Sequence, residues 1–571
     1  IQYMICTKTI LVGCSFLLAP FLAIGKKNQS PSELIPMVLV ETRSPRSLSE
    51  TSPWVTVLSG EDLPEGLLKR SDIALDSHTG RFATMAVTAN GLSWLVQQDA
   101  VEWVEPRPFF EFLNSVGIEV MNVDDTWDNS NMANIDASWS GLDGSGVIVT
   151  VADTGLDNGV NNTNMHPDFR DHITGILSFP PSASTCASLS LSPCGDDAED
   201  HHGHGTHVAG SVLGDGTHSN GDIIGAAPEA HLLVHSIATT HNGEEKLLGI
   251  PNDLDDMFKL AWANGSRVHT NSWGSAVAGQ YTTSSMQADS SARTHDELVI
   301  LFAAANEGVD ANMDGEIDLD SMGSPATAKN VLTVGASENN RGNMTWTWGS
   351  SDYGSPISTD RLADNPDGMA AFSSRGPTDD GRLKPDFSAP GTMILSTKSR
   401  STSSVGWLGH NASYTYMGGT SMATPLTAGA SALLLQHLMD NLGETNPTSA
   451  LVKAIFTASA HDMTGQYSSS TNGAGEAAPN NHEGWGRINM SQAINTSYLQ
   501  GHSVTTNADS GWSFIVPASA DDINIALTWT DPASTPSAST NLVNDVDLAL
   551  KSPSGTWTNV SNNLDNLRGL T

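Results

Sequence analysis

Val147-Ile148-Val149-Thr150-Val151-Ala152-Asp153 is a run of mostly β-branched residues that ends in a carboxylate. It carries no charge before that end, so it reads as a strand buried on both faces, as in parallel sheets. Residues 298–304 and 331–334 have the same character, and helical segments at 252–263 and 421–439 alternate with them. From about residue 114 to 499 this alternation predicts an α/β fold with a doubly wound, mostly parallel sheet covered by helices.

Outward from this region the pattern changes on both sides. Before it, 54–57 and 81–87 read as strands, 91–96 as a helix and 101–106 as a closing strand, which makes a small α/β unit. At the front, an apolar stretch at 10–24 lies between Lys8 and Lys26-Lys27, with small residues at Ala23-Ile24-Gly25. It is short for a membrane span and has the length of a signal-peptide core. Residues 1–25 are therefore expected to be a signal peptide, with lipoprotein attachment through Cys14 as an alternative. The chain begins at Ile1, and the true N-terminus is expected to lie before it. After residue 500, the segments 512–516, 523–530 and 546–550 read as strands separated by Pro, Ser, Asn and Asp. They predict a β-sandwich or jelly roll over 500–571, incomplete at Thr571.

Composition removes some functions. The chain has 571 residues, with 63 acidic against 26 basic ones and a net charge of -37. Nucleic-acid binding needs clustered Lys and Arg, so no such partner is expected. The acidity fits a solvated surface that resists association, and a monomer is expected. Cys186 and Cys194 flank a short Ser/Pro-rich loop. In an exported protein such a pair can close a disulfide, which is the reading favoured here.

Four motifs carry chemistry. Asp153 ends its strand at the carboxyl edge of the sheet, where α/β folds build sites. Gly203-His204-Gly205-Thr206-His207 sets a histidine among glycines. A metal site competes, because His201, His202, His204 and His207 crowd together. The segment lacks the His pair at i, i+4 and the Glu of a zinc-binding helix, which favours a general base. Asn306 follows an apolar strand in Ala303-Ala304-Ala305-Asn306-Glu307-Gly308 and can aim its amide at a developing oxyanion. Ser421 opens a long helix in Gly418-Gly419-Thr420-Ser421-Met422-Ala423-Thr424-Pro425. A weak hydroxyl nucleophile needs a base, a group to orient that base and oxyanion donors, and these four motifs supply them.

Together the motifs resemble the subtilisin-like serine proteases, whose triad follows the same chain order Asp, His, Ser. The resemblance is closest to alkaline bacterial subtilases with a C-terminal β-sandwich. It extends to His269-Thr270-Asn271-Ser272-Trp273-Gly274, Phe372-Ser373-Ser374-Arg375-Gly376-Pro377, Lys384-Pro385-Asp386, Gly484-Trp485-Gly486-Arg487 and Leu542-Val543-Asn544-Asp545-Val546-Asp547-Leu548. It implies a subtilisin-like catalytic domain over 114–499 that hydrolyses peptide bonds through an acyl-enzyme. Asp153 would orient His204, His204 would be the base, Ser421 the nucleophile and Asn306 an oxyanion donor. Ser272, Trp273 and Gly274 would pair with substrate backbone, opposite a wall of Ala303, Ala304 and Ala305. The family usually has Gly where Ala305 stands. Residues 26–113 would be a propeptide, acting as an intramolecular inhibitor that the enzyme removes itself. Protein and peptide substrates follow from the same resemblance; secretion follows from the expected signal peptide, and no stable membrane span is expected.

The stretch 310–320 places Asp310, Asn312, Asp314, Glu316 and Asp318 at alternate positions, with Gly315 at the sharp turn. That matches the first part of an EF-hand loop and predicts structural calcium, with no catalytic metal. Asn544, Asp545 and Asp547 form a smaller acidic group. A peptide-binding pseudoprotease would be expected to lose a triad residue or Asn306, and none is lost. A surface-attached binding protein using the β tail is disfavoured by the tail's small share of the chain.

Overall fold

The computed structural model describes residues 24–25, 54–59, 66–106 (apart from 80–81, 96 and 99), 115–127 and 141–570. Within the last range 192–193, 196–197, 242–243, 464–476, 502, 506–508, 517–522, 553 and 561–564 are not described. Most of the expected signal peptide and the 113/114 boundary lie outside the described residues. The chain divides into two compact units, Ile1–Phe110 and Glu111–Thr571.

In the first unit an antiparallel sheet has the spatial order Ile24–Gly25, Val101–Pro106, Trp54–Ser59, Phe82–Val87, Ile73–Thr79. The helix Ala89–Leu95 follows Phe82–Val87. Leu67, Ile73, Met85, Val87, Leu95 and Val101 form its core. Ile73–Thr79 corrects the expected count of strands. Only Ile73 and Leu75 alternate there, before a polar run that hides the strand in the sequence.

The second unit is built on seven parallel strands. Their order is Phe387–Pro390, Leu332–Ser337, Val299–Ala303, Ser266–Asn271, Ile148–Asp153, His231–Ser236, Ile173–Ser178. Both faces are covered, as the continuous apolar runs require. Val149, Val151, Val299 and Leu301 pack on one face, with Val208 and Val212 of the helix His204–Leu213 and Leu426 of the helix Thr420–Gln436. The intervening Ala152, Ile300 and Phe302 face Met257 and Phe258 of Asp255–Ala263 and Ala288 and Ala292 of Thr283–Thr294. Chain order reverses beside Ile148–Asp153, which has a later strand on each side. Asp153 therefore stands at a topological switch point, on the carboxyl edge where ligands bind in such sheets.

Cys186 and Cys194 are joined in a disulfide, with their Cα atoms 5.6 Å apart. The tail contributes two small antiparallel sheets, Ile525–Thr528 with Leu567–Leu570 and Leu548–Lys551 with Trp557–Val560. A closed sandwich is not formed among the described residues. The expected strand at 512–516 is not one: the segment has no ladder partner among them, and Ile515 is 95% exposed. Apolar character gave it a strand pattern, but a strand exists only through its neighbour's hydrogen bonds.

The tail is tied into the second unit by a buried charge. Lys329 Nζ donates to the Asp531 carboxylate and to the carbonyls of Pro532 and Asn541, each at 2.6 Å, and the Lys329 and Asp531 side chains are fully buried. Removing one member of a buried pair leaves the other charge without compensation, at a cost of about 3–5 kcal/mol. Lys329→Met is therefore expected to lower stability by that order in denaturant unfolding. It should also make 523–570 the first region cut in limited proteolysis. A parent-like cutting pattern and midpoint would show that the pair does not anchor the tail.

Candidate active site

Asp153 is 3% exposed. Its Oδ1 accepts hydrogen bonds from the Thr154 amide at 2.8 Å and from His204 Nδ1 at 2.7 Å. His204 is the first residue of its helix and follows Gly203, whose φ is +92°. For a strand end and a helix start to meet this closely, one backbone must be bare. A Cβ on Gly205 would lie 2.4 Å from the Gly155 carbonyl oxygen.

A second, fully buried carboxylate organises the junction. Asp200 accepts from the Thr154 hydroxyl and the Gly203 amide with one oxygen, and from the Thr206 amide and hydroxyl with the other. Thr154 Oγ1 in turn accepts from the Gly205 amide at 2.8 Å. Asp200 thus takes the amides of Gly203, just before the histidine's helix, and of Thr206 in its first turn, and ties them to the residue after Asp153. Sequence reading passed over Asp200. Its signal was an acid four residues before His204, which an acidic chain obscures.

Ser421 is the second residue of Thr420–Gln436, after Gly419 with φ +147°. Pro425 lies inside this helix and has no N–H to donate to the carbonyl four residues back, which is that of Ser421. The Ser272 hydroxyl occupies the freed carbonyl at 2.9 Å, and Ser421 Oγ donates to the Ser272 carbonyl at 3.1 Å. Ser272 follows Asn271, which pairs in register with Ala152, so the contact brings Ser421 to the sheet edge that carries Asp153. At rest the Ser421 hydroxyl is committed to Ser272 and not to His204. In enzyme sites, serine–histidine hydrogen bonds commonly tighten only when substrate is bound.

Asn306 lies just beyond Val299–Ala303. Its Oδ1 accepts from the Thr420 amide at 2.8 Å and the Thr420 hydroxyl at 3.0 Å, which directs Nδ2 away from those donors. Among the described residues Nδ2 makes no hydrogen bond, and Ser421 is the residue after Thr420. Ser272, Trp273 and Gly274 continue one strand, and Ala304 and Ala305 continue its parallel neighbour after Ala303, so the two expected walls stand side by side. The Trp273 indole donates to the Ala152 carbonyl at 3.1 Å. Ala305 has φ +93°, a conformation that favours glycine.

The remaining candidates fall elsewhere. His207 is buried, with Nε2 3.1 and 3.2 Å from the Ile394 and Thr415 carbonyls, and burial pushes it down to about 3. In the acidic loop, Asp310 accepts from the amides of Asp314, Gly315 and Gly354. Asp314 accepts from the Glu316 amide and the Asn312 side chain, and Asp318 from the Ala311 amide. Among the described residues, the one acidic cluster with ligand atoms within 4.8 Å of one another is Glu338, Asp360 and Asp364. No helix among the described residues is long and apolar enough to cross a membrane.

The profile described as the subtilase family matches residues 144–486, well over half of the chain and all four motif positions. The chain belongs to the subtilase family. This subtilase is 26% identical over 570 residues to the serine protease/ABC transporter B family protein tagD of Dictyostelium discoideum, a match covering 80% of this chain and 30% of that protein. It is 30% identical to the serine protease AprX of Bacillus subtilis, covering 52% and 59%, and 29% identical to a subtilisin of Bacillus sp. (strain TA39), covering 51% and 56%. The chain therefore spans between about a third and three fifths of the length of these relatives.

Two opposing effects set the charge of His204. Burial disfavours the imidazolium, but the Asp153 carboxylate's charge and hydrogen bond, with a smaller contribution from Asp200, outweigh it and raise the pKa above 6.5. In a Ser421→Ala background, which avoids self-digestion, histidine NMR should find His204 titrating above 6.5. Asp153→Asn removes the main raising charge and leaves the burial and Asp200, so the midpoint should fall from that of the parent background. A His204 midpoint unmoved by Asp153→Asn would mean that the 2.7 Å contact does not govern its charge.

Proposed function

We propose that this subtilase is a secreted serine endopeptidase acting on proteins and peptides. The observation that carries the reading is the Asp153–His204 hydrogen bond at the sheet edge where Ser421 and the free Asn306 amide also converge. In the proposed reaction neutral His204 takes the proton of Ser421 as Oγ attacks the scissile carbonyl. Asn306 Nδ2 and the Ser421 amide stabilise the oxyanion, and Asp153 stabilises the imidazolium. His204 then passes its proton to the leaving amine, and water releases the acyl group by the reverse sequence. Substrate would add as a strand beside Ser272, Trp273 and Gly274. The Cys186–Cys194 disulfide supports an oxidising, extracellular destination.

Residues 26–113 are proposed to be a propeptide that inhibits the enzyme until the enzyme cuts it away, near 110–121. Purified parent chain should therefore digest a generic protein substrate and release its own N-terminal segment. Ser421→Ala should do neither, since loss of the nucleophile costs on the order of 10⁶ in kcat, a figure established on subtilisin itself. Normal processing by the purified variant would overturn the assignment of Ser421.

Calcium at 310–320 is a second part of the proposal. Asn312, Asp314 and Glu316 are exposed, and each carboxylate oxygen that accepts one amide keeps a further lone pair for a cation. A bound ion would stabilise the native chain by about 2.7 kcal/mol at a free concentration 100 times Kd. Chelation should lower the melting temperature of the Ser421→Ala protein, and Asp314→Ala combined with Asp318→Ala should remove most of that response. A full calcium shift in the double variant would place the ion elsewhere.

A further inference from the structure

Asn306 is held from two directions, and only one of them involves its side chain. Thr420 fixes the carboxamide, while the backbone on either side of Asn306 is gripped by Ser374. The Ser374 amide donates to the Ala305 carbonyl at 3.0 Å, and the Ser374 hydroxyl accepts from the Glu307 amide at 3.1 Å. One residue thus clasps both peptides that flank the oxyanion donor.

The clasp is built to be rigid. Ser374 is fully buried. Next to it, the Ser373 hydroxyl accepts from the Ala336 amide at 3.0 Å, which fixes the segment to the strand Leu332–Ser337. The Gly308 amide donates to the Phe372 carbonyl at 2.8 Å, and Arg375 and Ser321 exchange hydrogen bonds at 2.8 Å on the far side. The buried Arg375 guanidinium donates to the carbonyls of Ser373 and Ala370, locking the segment onto itself.

What the clasp restrains is strained. Ala305 sits at φ +93°, where an L side chain pays a steric penalty, and its methyl stands against Gly323, on which a Cβ would lie only 2.9 Å away. A strained residue persists only where its surroundings over-determine it. The Ser374 hydroxyl is the side-chain half of the clasp; once the Glu307 amide is released from it, the strain at Ala305 can relax through a rotation at Asn306.

We propose that Ser374 is a positioning residue for the oxyanion hole, holding Asn306 on target through the peptides of Ala305 and Glu307. The proposal rests on the reading of Asn306 as an oxyanion donor. Oxyanion donors act on the transition state more than on bound substrate, so their misplacement shows in kcat and not in KM.

The test is a double-variant cycle on the mature enzyme with a peptide substrate: Ser374→Ala, Asn306→Ala and both together, with melting temperatures recorded alongside. Ser374→Ala should lower kcat about 10–100-fold with KM within about twofold, less than the 10²–10³ typical of deleting an oxyanion donor outright. In the Asn306→Ala background the same change should cost less than about twofold, because there is no longer an amide to misplace. Should Ser374→Ala fail to fold, Ser374→Cys keeps the size and weakens the acceptor, and it must show the same split. An equal loss of kcat in both backgrounds, a raised KM with kcat intact, or no loss would overturn the role of Ser374 and leave Asn306 in place. No loss of kcat in Asn306→Ala alone would overturn the oxyanion reading, and this proposal with it.

Discussion

The Asp153–His204 hydrogen bond joins a strand end to a helix start, and most of the second unit is arranged so that this can happen. The two backbones must approach closely, which is why Gly205 faces the Gly155 carbonyl with no room for a Cβ. The amides at the helix start need acceptors, and the buried Asp200 takes those of Gly203 and Thr206 while Thr154 takes that of Gly205. With Thr154 bound to both Asp200 and Gly205, the carboxylate and the imidazole cannot drift apart without breaking several buried hydrogen bonds at once. An unpaired buried polar group costs about 1–3 kcal/mol, so the junction behaves as one piece.

The other site residues depend on the parallel sheet that carries this junction. Adjacent parallel strands end at the same edge, so Asp153, Ser272 and the residues after Ala303 fall in a row without further instruction. The helix Thr420–Gln436 meets that row at its N-terminal turn. Pro425 removes one of its internal hydrogen bonds and thereby gives Ser272 a carbonyl to hold. The same turn offers Thr420 to Asn306. A helix defect and a strand end thus fix the serine, while a neighbouring turn under backbone strain carries the amide.

Much of this was legible in the sequence because it lies at boundaries with strong local signals. Val147 to Asp153 loses its apolar run at a carboxylate, and Ser421 follows two glycines and precedes a long apolar helix. The structure puts those boundaries within a residue or two of the expected places. Asp200 and Ser374 were not legible as partners, because an acid in an acidic chain and a serine in a small-residue run acquire meaning only from distant contacts. The strand Ile73–Thr79 is hidden because half of it is polar, and 512–516 mimics a strand because apolar character says nothing about a partner. In 310–320 the alternate oxygens read as ligands for one ion. Several of these oxygens also accept backbone amides, Asp310 from Asp314, Gly315 and Gly354 and Asn312 from Asp314, a local use of Asp and Asn that the sequence pattern does not reveal.

The central claim is that this geometry makes one serine hydroxyl, that of Ser421, a nucleophile at neutral pH. A phosphonyl fluoride reports on that directly, because it loses fluoride far faster to a serine oxygen whose proton is taken by a neighbouring base than to an ordinary hydroxyl. After treatment of the mature enzyme, peptide mass spectrometry should find a single adduct, on Ser421, formed in step with the loss of activity and absent from His204→Ala. Inactivation with the label on another residue, or an equally fast adduct in His204→Ala, would contradict the account.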